Sequence, residues 1–262
     1  MTSLSPSTTP DTLSDEQIDF YRENGFVHIP GIISPEEAET FRLAALEASG
    51  MDDPYGNPMF KQIVNIWTSN ETMKSLTLHP NVAAVAQKLA GVDLRLWHDQ
   101  ILTKKPHNAA PTEFHQDQPY WPHQGSVHPI SCWIALCDVP VERGCMTFIP
   151  KSQSLTELPP QNLGDPDSLF SIAPELVWEP RITVPLRAGD CTFHHGRCAH
   201  MATPNFTDEP RVAHVVIFID ENTLYNGTPH PVTHKLGIEI GQPLESDLFP
   251  RVADFALQRP FN

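Results

Sequence analysis

From Leu94 onward the chain runs through a succession of short apolar stretches, many rich in β-branched residues and broken by Pro- and Gly-containing connections. This succession limits the fold more than any other feature. The stretches are 94–96 with 101–103, ISCWIALCDV (130–139), CMTFIP (145–150), RITVPL (181–186), CTFHH (191–195) and RVAHVVIFID (211–220), with Gly189-Asp190 as a turn between two of them. Strands this short bury their apolar faces only by pairing two sheets or closing a barrel. The chain before Gly91 reads differently. Ser14 with Gln17 forms a capping-box pattern for a helix ending near Gly25, and FVHIP (26–30) reads as a strand. Ser34-Pro35-Glu36-Glu37 opens a second helix that Gly50 stops, and Pro80 and Gly91 bracket a third over about 80–90. The expected fold is mainly β with N-terminal helices, a double-sheet jelly roll or barrel in a single domain over 13–262. Residues 13–92 form the bracing region, 93–220 the β core and 221–262 a C-terminal extension. The tail at 1–12, rich in Ser, Thr and Pro, is expected to be disordered. Residues 151–180 are Pro-rich, polar and acidic; a connection that long is either a lid over a site or a surface excursion.

A net charge of −15 disfavours nucleic acid and anionic membrane surfaces as partners, and weakly disfavours bulky polyanions such as acyl-CoA. The five cysteines are odd in number and contain no CxxC pair, which points to reduced thiols and neither a disulfide framework nor a thiolate zinc site. No signal-peptide pattern opens the chain and no apolar run of membrane-crossing length occurs in it. The expectation is a cytoplasmic protein, monomer or homodimer, acting on a small molecule.

The chemistry-bearing stretch is TEFHQDQPYWP (112–122). On an extended strand His115 and Asp117, two apart, point to the same face and can give two adjacent ligands to one metal ion. With 13 His and 16 Asp, one His-x-Asp pair arises by chance in a chain this long, so the pair alone says little. The stretch at 189–220 adds His194, His195 and His200 as candidates for a third ligand, and Arg211 eleven residues after His200. Two imidazoles and a carboxylate with open positions suit iron(II) and O2. Arg211 begins a strand-like run, so its guanidinium can sit inside the barrel, where it needs a carboxylate such as the distal one of 2-oxoglutarate.

The chain resembles the phytanoyl-CoA dioxygenase (PhyH) family of Fe(II)/2-oxoglutarate-dependent oxygenases from about Leu13 to Asp220. The resemblance rests on LSDEQIDFYRENGFVHIPGIIS (13–34), HQD (115–117), ERGCMTFIP (142–150), and GD (189–190) followed by His200 and Arg211. It implies a double-stranded β-helix, cupin-like core with iron held by His115, Asp117 and His200. By the same resemblance Arg211 holds 2-oxoglutarate, with Trp133 and Gln100 lining that cosubstrate. The family's Ser two residues beyond the distal His is Ala202 here, with Thr203 as a neighbouring hydroxyl, and its PGSH-like turn reads PKSQ (150–153). Related halogenases replace the carboxylate by a small residue; Asp117 is present, which favours hydroxylation or a related oxidation such as desaturation. No other catalytic residue is required.

For the substrate, Gln116, Gln118, Tyr120 and Trp121 cluster in sequence near the metal pair, and Lys104 is a candidate for an anionic group; Trp97 reads as core. The family name does not make phytanoyl-CoA the substrate. Two other readings fit the same residues: an inactive metal- and 2-oxoglutarate-binding module, and a cupin-type metalloenzyme that does not use 2-oxoglutarate. Arg211 argues against the cupin-type reading, and against a module that keeps the metal pair but has lost the cosubstrate.

Overall fold

A computed structural model of the chain describes residues 13–48, 50 and 58–256; the tail at 1–12 lies outside the described residues. Helix α1 (Asp15–Asn24) starts where the cap chemistry puts it. The Ser14 hydroxyl accepts from the Gln17 N–H at 3.2 Å, the Gln17 side chain accepts from the Ser14 N–H at 3.0 Å, and Gly25 stops the helix at φ +81°. Strand β1 (Phe26–Ile29) leads to α2 (Pro35–Ala48), whose capping box joins Ser34 and Glu37. Strand β2 (Lys61–Val64) and a short helix α3 (Glu71–Thr77), capped by Asn70, precede α4 (Pro80–Ala90), which ends at a left-handed Gly91.

The β region comprises β3 (Leu94–Lys104), β4 (Thr112–His115), β5 (His123–Gln124), β6 (Ile130–Ala135) and β7 (Met146–Phe148). Helix α5 (Ser168–Ile172) then precedes β8 (Ile182–Val184), β9 (Cys191–His195), β10 (His200–Ala202), β11 (Arg211–Asp220) and β12 (Leu224–Tyr225), and α6 (Val252–Ala256) follows. All strand pairs are antiparallel. One sheet runs β1-β9-β6-β11-β3-β2, a second runs β4-β10-β7-β8, and β12-β5 form a small ribbon. This is the expected two-sheet jelly roll with a helical brace.

Strand alternation decides which residues brace and which line the interior. Val212, Val216 and Phe218 of β11 join the cluster under α2 and α4, while Ala213, Val215, Ile217 and Ile219 face the interior between the sheets. The β3–β11 register shifts between Ile217/His98 and Phe218/Leu96, leaving Trp97 as an extra residue. Such a bulge lets two consecutive side chains face one way. Trp97 is fully buried in the interior cluster and His98 lines the interior cavity.

The connection at 151–180 carries two single-turn helices around α5 and has its own apolar cluster, with Leu169, Ala173 and Leu176 packed on Ile149 and Ala199. All five cysteines are buried and unpaired. Among the described residues no helix is long and apolar enough to cross a membrane.

Candidate metal centre

His115 is the last residue of β4, and His200, the first of β10, is its direct cross-strand partner. The pairing sets the two imidazoles side by side, ring centroids 4.4 Å apart. Asp117 does not share their strand. β4 ends at His115, and Asp117 has helical backbone angles (φ −75°, ψ −44°) where the chain enters a single turn over Gln118–Tyr120. The alternation expected for an extended His-x-Asp is therefore absent. The turn, anchored by the Gln118 N–H on the Gly196 carbonyl at 2.8 Å, swings the carboxylate back under the imidazoles instead. Asp117 Oδ1 lies 3.5 Å from His115 Nε2 and 3.7 Å from His200 Nε2, and the ligand atoms of the three residues all fall within 4.8 Å of one another.

The surroundings fix which atoms face inward. The Nδ1 atoms of His115 and His200 donate to the carbonyls of Glu113 and Cys198, at 2.7 and 2.9 Å. A carbonyl only accepts, so each ring carries a proton on Nδ1 and turns its Nε2 to the centre. Asp117 Oδ2 is held by the Ser131 hydroxyl at 3.3 Å and by His194 Nε2 at 3.3 Å, which leaves Oδ1 for a metal. Burial alone would raise the Asp117 carboxyl, but the imidazoles of His200, His115 and His194 hold it well below the usual range. Burial, reinforced by His115, lowers His200 to about 3, so its ring is neutral and able to ligate at neutral pH. This donor set, two imidazoles and a carboxylate, fits iron(II). His194, in the sequence a rival third ligand or else a residue for packing or support of the ligands, takes the supporting role: it holds the Asp117 carboxylate. His195 faces away, its Nε2 donating to the Val127 carbonyl at 3.0 Å.

The triad opens on a cavity of about 290 Å³ between the sheets, also lined by Arg211, Trp133, Gln100, Tyr120 and Trp121. The Arg211 side chain is fully buried, with its guanidinium carbon 5.2 Å from the Trp133 ring centre. Its protein contacts are poor: a 3.5 Å bond to the Leu102 carbonyl, a partnerless Nε, and no carboxylate among the described residues. Burial lowers its pKa to about 10. Gly144, at φ +72°, makes room for it: a Cβ there would lie 3.1 Å from Arg211 Nε. A buried guanidinium lacking a counter-ion and facing a cavity fits the distal carboxylate of a diacid.

Three of the sequence candidates are not brought to the cavity. Gln116 is fully buried behind it, its amide donating to the carbonyls of Ser152, Leu155 and Arg197 at 3.3, 3.1 and 2.7 Å. Gln118 bonds the Ser126 carbonyl and the Arg197 guanidinium. Lys104, opposite Arg211 on β3, donates to the carbonyls of Ala110 and Ala202 at 2.9 and 3.5 Å. Burial, and then the charge of Arg211, lowers it to about 7. The Thr203 hydroxyl is occupied by the Val141 carbonyl and the Cys145 N–H, and Ala202 lines the cavity. Leu163, from the long connection, reaches the cavity wall, and the Gln161 carbonyl accepts from the Tyr120 hydroxyl. Two lining residues that sequence reasoning did not single out are His98 and His230.

The sequence profile described as phytanoyl-CoA dioxygenase (PhyH) matches residues 21–213. The chain is similar to methylphosphonate hydroxylase of Gimesia maris, 26% identical over 227 residues, covering 82% of this chain and 83% of that one. Among solved structures it is similar to the non-heme alpha ketoglutarate dependent carbocyclase SnoK from nogalamycin biosynthesis, with 37% identity, a TM-score of 0.84, and 94% of this chain and 99% of that chain covered. The epimerase SnoN in complex with Fe3+, alpha ketoglutarate and nogalamycin RO gives 35% identity and a TM-score of 0.81, covering 91% of this chain and 98% of that one. With a profile match over most of its length and a metal triad at the positions the motifs mark, this chain belongs to the phytanoyl-CoA dioxygenase (PhyH) family.

Proposed function

We propose that this protein is an iron(II)- and 2-oxoglutarate-dependent oxygenase that hydroxylates, or otherwise oxidises, an unactivated C–H bond of a small organic molecule. The observation that carries the reading is one cavity holding both a His-Asp-His triad and a buried guanidinium with no counter-ion among the described residues. His115, Asp117 and His200 hold iron(II), Arg211 binds the distal carboxylate of 2-oxoglutarate, and Trp133 and Gln100 flank that cosubstrate. Bound there, iron and cosubstrate supply the oxidising power of O2, with 2-oxoglutarate leaving as succinate and CO2. The protein's own part is ligation, orientation and exclusion of water. Ser131 and His194 keep one carboxylate oxygen turned to the metal, and the Met146, Val215 and Ile217 side chains keep part of the wall apolar. Tyr120 and Trp121 are part of the substrate wall, and the segment at 151–180 covers the site through Leu163. No general base or nucleophile is needed.

The test is aerobic incubation with iron(II), ascorbate, 2-oxoglutarate and a metabolite library, reading substrate-stimulated succinate release and product mass. Hydroxylation adds one oxygen atom to the product. A second reading, C–H abstraction followed by ring closure or inversion, is supported by the similarity to an enzyme described as a carbocyclase and one described as an epimerase. Loss of two hydrogens, or no change in mass with inverted configuration, would select it. Oxygen consumption that does not require 2-oxoglutarate would refute both.

A further inference from the structure

The cavity has a second polar end, away from Arg211. Cross-strand pairing places His194, Ser131, Ile217 and His98 in one row across the large sheet, on the face that looks into the cavity. At one strand spacing per step, His98 stands roughly 10 Å from the Ser131 that steadies Asp117. Arg211 lies six residues along β11 from the Ile217 of that row, roughly 20 Å at strand rise. His98 therefore faces the substrate side of the metal and not the cosubstrate arm. The Trp97 bulge turns it inward, and His230, from the C-terminal segment, stacks on it with ring centroids 5.9 Å apart and planes 29° apart.

The two rings differ in what they offer. His98 Nδ1 lies 3.3 Å from the Asp99 carbonyl, which takes its proton and leaves Nε2 as an acceptor. His230 Nδ1 accepts the Val232 N–H at 3.3 Å, so its proton sits on Nε2, a donor. Neither Nε2 has a protein partner among the described residues. Burial lowers His98 to about 3 and His230 to about 4, so both are neutral at pH 7. The cavity's charge is equally specific. Among the described lining residues Asp117 is the one carboxylate and Arg211 the one lysine or arginine, and Lys104 is turned onto carbonyls behind the wall. Residues 51–57, which come shortly before the lining Phe60 in sequence, include no lysine or arginine. With Arg211 committed to 2-oxoglutarate, an anionic substrate would enter without a counter-ion, which costs several kcal/mol.

We propose that His98 and His230 select the substrate by reading a hydroxyl group, as acceptor and donor together, on an uncharged molecule, and that the cavity rejects phosphonates, phosphate esters and other anions. This rests on the oxygenase reading of the same site. It separates this chain from the methylphosphonate hydroxylase it resembles, whose named substrate is an anion.

The test uses anaerobic protein with iron(II) and 2-oxoglutarate, titrated calorimetrically with naphthol, its methyl ether and its phosphate monoester, three probes that differ only in the group to be read. Naphthol is expected to bind at least about tenfold more tightly than either of the others. His98→Leu and His230→Phe should erase its advantage over the ether. His98→Gln and His230→Gln, which keep a donor and an acceptor, should retain part of it, and they also serve if the apolar variants fold poorly. Phosphate binding as tight as naphthol, an undiminished preference in the apolar variants, or no naphthol binding at all would overturn the proposal. Failure of the parent protein to bind 2-oxoglutarate would instead overturn the oxygenase reading beneath it.

Discussion

Replacing Arg211 by Met should make the protein more stable alone and indifferent to 2-oxoglutarate. Arg211 is 2% exposed, rests on Trp133 and, among the described residues, makes one 3.5 Å bond through its guanidinium. The protein without cosubstrate therefore carries a buried cation with little compensation. Met has similar length and no charge, and replacing buried ionic groups by apolar ones of like volume stabilises by about 1–3 kcal/mol. Lys104 adds to the gain, because part of its lowered pKa comes from Arg211 beside it. The parent behaves in the opposite way when 2-oxoglutarate is added. At a hundredfold excess over Kd the cosubstrate stabilises by about 2.7 kcal/mol, or roughly 5–10 °C in Tm for a chain of this size. The assay is thermal unfolding of both proteins with manganese(II) in place of iron, with and without 2-oxoglutarate. The reasoning is refuted if Arg211→Met melts below the parent without cosubstrate, or if it keeps the parent's full upward shift.

Three further outcomes follow from the same contacts. Joint replacement His194→Leu and Ser131→Ala frees Asp117 Oδ2 and should weaken iron(II) binding about 10–100-fold without abolishing it, as read by competition with a chelator. Gln116→Leu removes the side-chain donor to the Leu155 and Arg197 carbonyls, and one of two donors to that of Ser152, and should cost about 1–3 kcal/mol in urea unfolding, with no change in which substrates are turned over. Asp99 is fully buried against Thr77 and the Trp67 N–H, and burial raises its pKa from 3.8 to about 7. The folded state then holds a proton that the unfolded state has lost, so its contribution is full below about pH 4 and fades as the pH rises through about 7. Stability of the parent relative to Asp99→Asn should fall across that window and level off above it; a flat difference would show that the carboxyl is not protonated.

Much of the architecture was legible because its signals are local. Ser14, Ser34, Pro80, Gly25 and Gly91 mark helix ends by chemistry that acts within a few residues. Strands β6, β9 and β11 are apolar runs because at least one face of each packs in the core. Helix α3 was missed: its seven residues are too few to establish a period, and its one cue is the Asn70 cap. Strand β10 is three residues long and became visible only through its pairing. At the site, the sequence spacing brought His115, Asp117, His200 and Arg211 into consideration, yet the route to that cluster differs. Asp117 arrives by a turn after β4 and not by strand alternation. Gln116, Gln118 and Lys104 sit near the motifs in sequence, but backbone carbonyls and, for Gln118, a guanidinium capture their polar groups, a competition that cannot be read from composition. His98 and His230 lie 132 positions apart, and a bulge and a returning C-terminal segment bring them together.

The central claim is that three side chains hold one ferrous ion and that 2-oxoglutarate completes its coordination. Anaerobic titration of the metal-free protein with iron(II), followed by 2-oxoglutarate, tests it directly. The prediction is one equivalent of iron per chain and, on adding the keto acid, a visible charge-transfer band, both absent in Asp117→Ala. An Asp117→Ala protein that binds iron and develops the band like the parent would contradict the account.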